Sequence, residues 1–352
     1  MNKNLLSAVV MLSVMLLTGC SDDEPILPPE QPEPLPLFDP LFAKELERRG
    51  YIESADSISP EDVADIIELD VSGGYYDHGE IKSLRGIEYF VNIRRLNCDY
   101  NQIADLDVSS NSTLEYLSCV GNELTKLDIS YNTALKNLYC GSNKLTQLDL
   151  SNNAMLEWLT CDYNDLAELD VTNNKELTDL YCQGNKLTEL DLTNNILLEY
   201  LYCARNELTE LDITNNTALE SLVCFSCKLD QLDVTNNTAL TDLYCESNEL
   251  IELDVTNNIA LTSLNCASNY LRELDVTKNT VLAELACASN YLPKLDISNN
   301  MCLRSFDCIN NPGDNSMFKV KVWPNFSDIP EDFSSGSYSY YGSTVTIEYW
   351  KE

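Results

Sequence analysis

Residues 135–153 read LKNLYCGSNKLTQLDLSNN, and residues 156–174 read LEWLTCDYNDLAELDVTNN. The apolar, Cys and Asn positions of the two stretches superpose after a shift of 21 residues. The same register holds from Ile93 to Asn311, marked by Cys98, Cys119, Cys140, Cys161, Cys182, Cys203, Cys224, Cys245, Cys266, Cys287 and Cys308 without one insertion or deletion. A fixed period of this length is the mark of a solenoid, in which each repeat buries its apolar side chains against its neighbours and cannot fold alone. Within one copy, Leu138-Tyr139-Cys140 alternates as a strand does, so Leu138 and Cys140 point inward and Tyr139 outward. Leu148 and Leu150, flanking Asp149, are expected to form an extended segment on the opposite wall.

The L-x-x-L-x-C-x-x-N-x-L core resembles the leucine-rich repeat. The resemblance implies an α/β-type horseshoe of mostly short parallel β-strands, with the sheet on the concave side. The details Leu-Thr-x-Leu-Asp-Val and Asn-Thr-Ala-Leu are similar to the surface leucine-rich repeat lipoproteins of Bacteroidetes and, more distantly, to internalins. It also implies that the Asn of the turn, at 101, 122, 143, 164, 185, 206, 248, 269, 290 and 311, bonds backbone groups of adjacent coils. Cys227 takes that place once, making Cys224-Phe225-Ser226-Cys227. With no second pair, the spacing reads as structural rather than as a zinc or redox site. The core cysteines are expected as free buried thiols, because stacked coils run their Cβ vectors parallel rather than towards each other.

Outside the repeats, the chain divides into segments of different composition. Residues 1–19, with Lys3 and an apolar run from Leu5 to Leu17, read as an export signal too short for a spanning helix. Leu17-Thr18-Gly19-Cys20 resembles the lipobox of bacterial lipoproteins, which implies lipidation of Cys20, and Ser21-Asp22-Asp23-Glu24 resembles the signal for display on the outer face of the outer membrane. Residues 20–37 then form a tether with six prolines between Pro25 and Pro36. At roughly 3.1 Å per residue such a stretch could hold a folded body on the order of 50 Å from the lipid. Residues 38–92 are expected as an N-terminal cap with helices over 39–49 and 59–67, each opened by Asp or Ser beside Pro. Residues 93–311 are eleven repeats, and residues 312–352 alternate as a C-terminal β cap.

Charge and composition narrow the function. The net charge of −35 becomes −36 once residues 1–19, whose one charged side chain is Lys3, are removed. Such a field repels nucleic acid and anionic lipid, leaving the anchor as the expected membrane contact. His78 is the one histidine; it lies in a Tyr-Tyr-Asp-His-Gly loop with no evident nucleophile, and neither an enzyme nor a cofactor is expected. Asp56-Ser57-Ile58 resembles an O-glycosylation acceptor of Bacteroidetes. A column of aspartates, Asp107, Asp128, Asp149, Asp170, Asp191, Asp212, Asp233, Asp254, Asp275 and Asp296, stacks like charges about 5 Å apart. Each neighbouring pair would cost roughly 0.8 kcal/mol even in water. Turn capping by these carboxylates is the expected offset, because Ser or Thr follows two residues later in every copy; calcium is the alternative.

Outward strand positions do not serve the core, so their residue choice is informative. Aromatic and acidic side chains cluster there and just past the strand: Tyr116, Tyr139, Trp158, Asp162, Tyr163, Asp179, Tyr181, Tyr200, Tyr202, Phe225, Asp242 and Tyr244. An exposed aromatic run edged by acids suits recognition, although stacked tyrosines also satisfy strand propensity and one another. The expectation is a monomeric, non-enzymatic binding protein whose partner is an extracellular or host protein. A glycan partner and a purely structural coat role are the alternatives.

Overall fold

The computed structural model describes residues 36–351. The leader, Cys20 and most of the Pro-rich tether lie outside the described residues. Twelve three-residue strands form one parallel sheet, running in chain order from Glu68–Asp70 and Arg95–Asn97 through Tyr116–Ser118 and on to Ser305–Asp307. Neighbouring strands pair in strict register, with the middle Leu of one opposite the middle Leu of the next, as in Leu138 with Leu159 and Leu180 with Leu201, until Phe306 takes that place in the last strand. Main-chain bonds continue past each strand, such as Cys140 N–H to the Thr160 carbonyl at 2.8 Å. The fold is a leucine-rich repeat solenoid.

One coil shows what holds it. Leu135, Leu138, Cys140, Leu145, Leu148 and Leu150 are all buried, and burial of a large apolar side chain contributes about 1.5–3 kcal/mol relative to leaving it exposed. Cys140 and its ten equivalents are buried free thiols, and burial pushes the Cys140 thiol up to about 12. They pack as small apolar groups between leucine layers. The turn after the strand places its third residue at positive φ in every coil, as at Ser142, Tyr163, Gly184 and Arg205.

Two asparagine columns tie the coils together. Asn143 Nδ2 donates to Cys119 O at 2.9 Å and to Cys140 O at 3.1 Å, while its Oδ1 accepts from Leu124 N–H at 3.0 Å. This is the bonding the resemblance implied. The second column, Asn111 to Asn300, is fully buried. Asn153 Nδ2, for example, donates to Ile129 O at 3.1 Å and Asn132 O at 2.9 Å. Cys227 is a poor substitute in the first column, since its Sγ lies 3.5 Å from Cys203 O and 3.9 Å from Phe225 O.

The aspartate column caps turns. Asp107 Oδ1 accepts from Ser109 N–H at 3.0 Å and from the Ser109 hydroxyl at 2.6 Å, and Asp254 does the same with Thr256. The side-chain bond from Ser109 or Thr256, ahead of the backbone bond, holds each carboxyl below the usual range. Among the described residues no three His, Cys, Asp or Glu side chains converge on a metal position.

At the N-terminal end, Asp39 Oδ1 accepts from Leu41 and Phe42 N–H and opens a helix over Pro40–Arg48, which buries Phe42, Ala43 and Leu46. The second expected helix is shorter than 59–67: it spans Pro60–Val63, with the Asp62 carboxylate accepting from the Ser59 N–H and hydroxyl. Its end is set by the sheet, because Ile67 O accepts from both Arg94 N–H and Arg95 N–H and leads into the strand Glu68–Asp70. At the other end, Met317–Lys321, Ser337–Tyr340 and Ser343–Trp350 make a second sheet with Lys294–Asp296 of the last coils. Phe318, Val320, Phe326, Phe333, Val345 and Ile347 bury their side chains there. Among the described residues, no helix is long and apolar enough to cross a membrane.

Candidate functional site

The strand registry brings the outward side chains of adjacent coils within the spacing of sheet neighbours, about 4.8 Å, and the aromatic ones join into a chain. The Arg95 guanidinium lies 3.5 Å from the centre of the Tyr116 ring. Tyr116 and Tyr139 follow at 5.2 Å between centroids, Tyr139 and Trp158 at 6.0 Å, Trp158 and Tyr181 at 5.5 Å in a stacked pair, and Tyr181 and Tyr202 at 4.7 Å edge to face. The path crosses between the first and third strand positions from Tyr116 to Tyr181 and then runs straight along the third position to Tyr202, so a row of rings spans five consecutive coils. Each such pair is worth about 0.5–1.5 kcal/mol beyond its buried area. The rings therefore hold one another in place, half-buried, as a preformed surface. Burial raises the Tyr181 phenol to about 12 and raises that of Tyr139, so both remain neutral hydroxyls.

The other candidates divide by position. Trp158 Nε1 donates to Thr160 Oγ1 at 3.1 Å, the Tyr200 hydroxyl donates to Glu220 at 3.1 Å, and Tyr244 shares a bond with Ser263 at 3.0 Å. Tyr200 and Tyr244 border the row without ring contact to it among the described residues. Phe225 lies under the Arg205 guanidinium at 5.6 Å. Asp242 is half-buried and accepts from the Thr241 hydroxyl at 2.7 Å.

One reading needs correction, and one residue stands at the edge. Asp179 is only 6% exposed; it accepts from the Thr178 hydroxyl at 2.7 Å, and burial raises its pKa. Alternation sends it outward, but flanking side chains cover it, so it is a buried support of the surface rather than a contact group. Tyr163 stands at φ 50° in the turn after the strand, with its ring against Gly184, where a Cβ would lie 2.7 Å from a ring carbon. It belongs to the rim. Asp162 is half-buried against Gly141, and burial raises its pKa. Glu246 shares that condition, with Oε2 buried and unpartnered. Arg95, which begins the row, was missed; its place in the column one coil before Tyr116 was the available signal.

A larger groove, about 810 Å³, runs along the Leu-Asp-Leu wall among Glu168, Asp170, Glu189, Asp191, Glu210 and Asp212. Its column aspartates are committed to Ser or Thr two residues on. It repeats what every coil does, whereas the aromatic row breaks the period, and the row is the better candidate.

No protein-family model matches the sequence, and no curated relative matches it. Among solved structures, the functional domain of InlJ from Listeria monocytogenes, which includes a cysteine ladder, is 38% identical over 78% of this chain, with a TM-score of 0.74. The chain spans 60% of that InlJ chain. The internalin InlF of Listeria monocytogenes is 22% identical, covering 83% of this chain and 92% of its own, with a TM-score of 0.64. The leucine-rich repeat protein LIC12759 of Leptospira interrogans is 21% identical, covering 66% of this chain and 70% of its own, at 0.59. The last two share the fold alone. The structural neighbours are thus internalin-like leucine-rich repeat proteins.

Proposed function

We propose that the protein is lipid-anchored through Cys20, displayed on the cell surface, and binds an extracellular or host protein through the aromatic row from Tyr116 to Tyr202. The observation that carries the reading is the unbroken ring contact across five coils. Periodic packing does not require it, because the same outward positions hold Ser, Asn, Ala and Asp in other coils. Recognition is equilibrium binding by a rigid surface. Rings already fixed by one another lose little side-chain freedom on association, which lowers a main cost of binding. The acidic surroundings favour a partner with basic residues and speed its approach.

The test is a screen of the mature chain against protein and glycan arrays, followed by substitution. Trp158→Ala, Tyr181→Ala and Tyr202→Ala should each weaken binding of a protein hit at least about tenfold, as central aromatics in interfaces do. Lys186→Ala and Glu189→Ala, outside the row, should leave it intact. Steep weakening by salt marks a basic partner. Binding that survives all three aromatic changes sinks the proposal, a glycan hit on the row would change the partner class, and no hit at all would favour a coat role.

A further inference from the structure

The residue after the turn asparagine forms a column along one edge of the solenoid, and over most of its length that column is charged. Lys144 pairs with Glu123 at 3.0 Å, Lys186 pairs with Asp165, and Lys228 pairs with Glu207 at 3.0 Å. Glu249 continues the run, and then the column becomes Tyr270 and Tyr291. Their rings lie 6.0 Å apart and both are exposed. The hairpin between Ser337–Tyr340 and Ser343–Trp350 comes to the same place. Its last pair is Tyr340 with Ser343, leaving Tyr341-Gly342 as a two-residue turn with φ 46° and 83°. A turn of this hand favours Asn-Gly, and a tyrosine in its first position is uncommon and strained. The effect of that choice is to project the Tyr341 ring, 87% exposed, beside Tyr291. The two phenols are close enough that Tyr341 raises the Tyr291 pKa.

These rings wall a cleft of about 390 Å³ whose remaining lining includes Ser268, Ser289, Asn310 and Ser339. Asn310 Nδ2 donates to Ser289 Oγ at 3.4 Å. None of the described lining residues is charged, in a chain with 57 acidic residues, although the Arg272 guanidinium stands near enough to Tyr291 to act on its phenol. We infer that the cleft between Tyr270, Tyr291 and Tyr341 is a second binding site, separate from the aromatic row, that takes a neutral saccharide. Three complementarities support it. Aromatic faces pack against the C–H faces of a sugar ring. Hydroxyl and amide groups both donate and accept, as sugar hydroxyls require. The lining itself carries no charged group, so an ionic ligand would lose solvation with little inside the cleft to offset it. The volume lies at the small end of ligand pockets, which suits one or two sugar rings of a longer chain.

The hairpin geometry supplies a test that separates binding from folding. Tyr341→Asn places the preferred residue in the turn while removing the ring, so the variant should melt at the same or a higher temperature. Calorimetric titration of the mature protein with maltohexaose, cellohexaose, mannohexaose, xylohexaose and chitohexaose, and with an oligogalacturonate as the charged comparator, is expected to give binding to at least one neutral member. Tyr341→Asn and Tyr291→Ala should each weaken that binding at least about tenfold, and Tyr181→Ala should leave it unchanged. The inference is overturned if no neutral oligosaccharide binds up to about 10 mM, or if the oligogalacturonate alone binds. It is equally overturned if Tyr341→Asn retains full affinity, or if Tyr181→Ala abolishes binding, which would put the sugar on the aromatic row.

Discussion

Replacing Cys227 by Asn should stabilise the solenoid, and the neighbouring coils supply the magnitude. In the next coil Asn248 Nδ2 donates to Cys224 O at 2.9 Å and Cys245 O at 3.0 Å, and its Oδ1 accepts from Leu229 N–H at 3.2 Å. Cys227 offers one weak S–H donor against two carbonyls, at 3.5 and 3.9 Å, and presents sulfur to the Leu208 N–H. Three ordinary hydrogen bonds at about 0.5–1.5 kcal/mol net each, less what the sulfur contacts already contribute, give an expected gain of about 1–3 kcal/mol. For a chain of this size that corresponds to a rise in Tm of roughly 1.5–4.5 °C. The measurement is a pair of urea titrations read by circular dichroism and by tryptophan fluorescence; coincident curves license a single free energy. Asn206→Cys is the mirror control and should lose a similar amount. An unchanged or lower midpoint for Cys227→Asn, at unchanged slope, would refute the reasoning and show that the backbone of this coil has adapted to the thiol.

Two further outcomes follow from the anchor and from the carboxylates. Cys20→Ala should shift the protein out of membrane fractions or leave it unprocessed, and deleting Ser21–Glu24 should keep lipidation but abolish cleavage by external protease; parental behaviour of both would remove the lipoprotein reading. Stability should peak near pH 4. Asp162 and Glu246 have raised pKa values through burial, so the folded state takes up protons first and gains stability as pH falls from neutral. The column aspartates have lowered values through bonds from Ser or Thr, so their contribution is present above 3.8 and is lost as pH falls through the folded values. Urea midpoints that rise steadily from pH 5 to pH 3 would contradict that account.

The repeat region was legible because each of its signals recurs ten or eleven times: the leucine and cysteine core, the first asparagine column and the aspartate caps all stand where the register puts them. What escaped the reading depends on single contacts between distant segments. The strand Glu68–Asp70 has one buried Leu and no period of its own; it exists because Arg95–Asn97 offers an edge. Leu295 lies in the same Leu-Asp segment that is merely extended in most coils, yet it pairs with Val320 because the C-terminal sheet begins there. The aromatic row was visible as a cluster of residue types, but its membership was not. Tyr163 sits at the rim in a left-handed turn, Asp179 is buried, and Arg95 enters through a cation–π contact with Tyr116. The tyrosine cleft needed a ring from position 341, fifty residues beyond Tyr291, and local sequence carries no sign of that meeting.

In a solenoid this regular, departure from the period is the informative quantity. A column that repeats in every coil, like the asparagine amides that donate to carbonyls of the adjacent coil or the capped aspartates, answers a backbone need that recurs at each step. Packing gives no reason for the sheet face to carry a ring at 116, 139, 158, 181 and 202 while the same columns hold Ser, Asn, Glu and Ala between 263 and 286. Nor does it give a reason for the edge column to exchange ion pairs worth at most about 1 kcal/mol each for two exposed tyrosines at 270 and 291. Ring-to-ring contact offsets part of the cost of exposing these side chains but leaves outward faces in water, where a polar residue would serve stability as well. The two aperiodic patches occupy different coils and differ in chemistry, one bordered by carboxylates and arginines and the other by uncharged hydroxyls and amides. A single partner chemistry does not match both, and that difference is the physical ground for assigning them separate ligands.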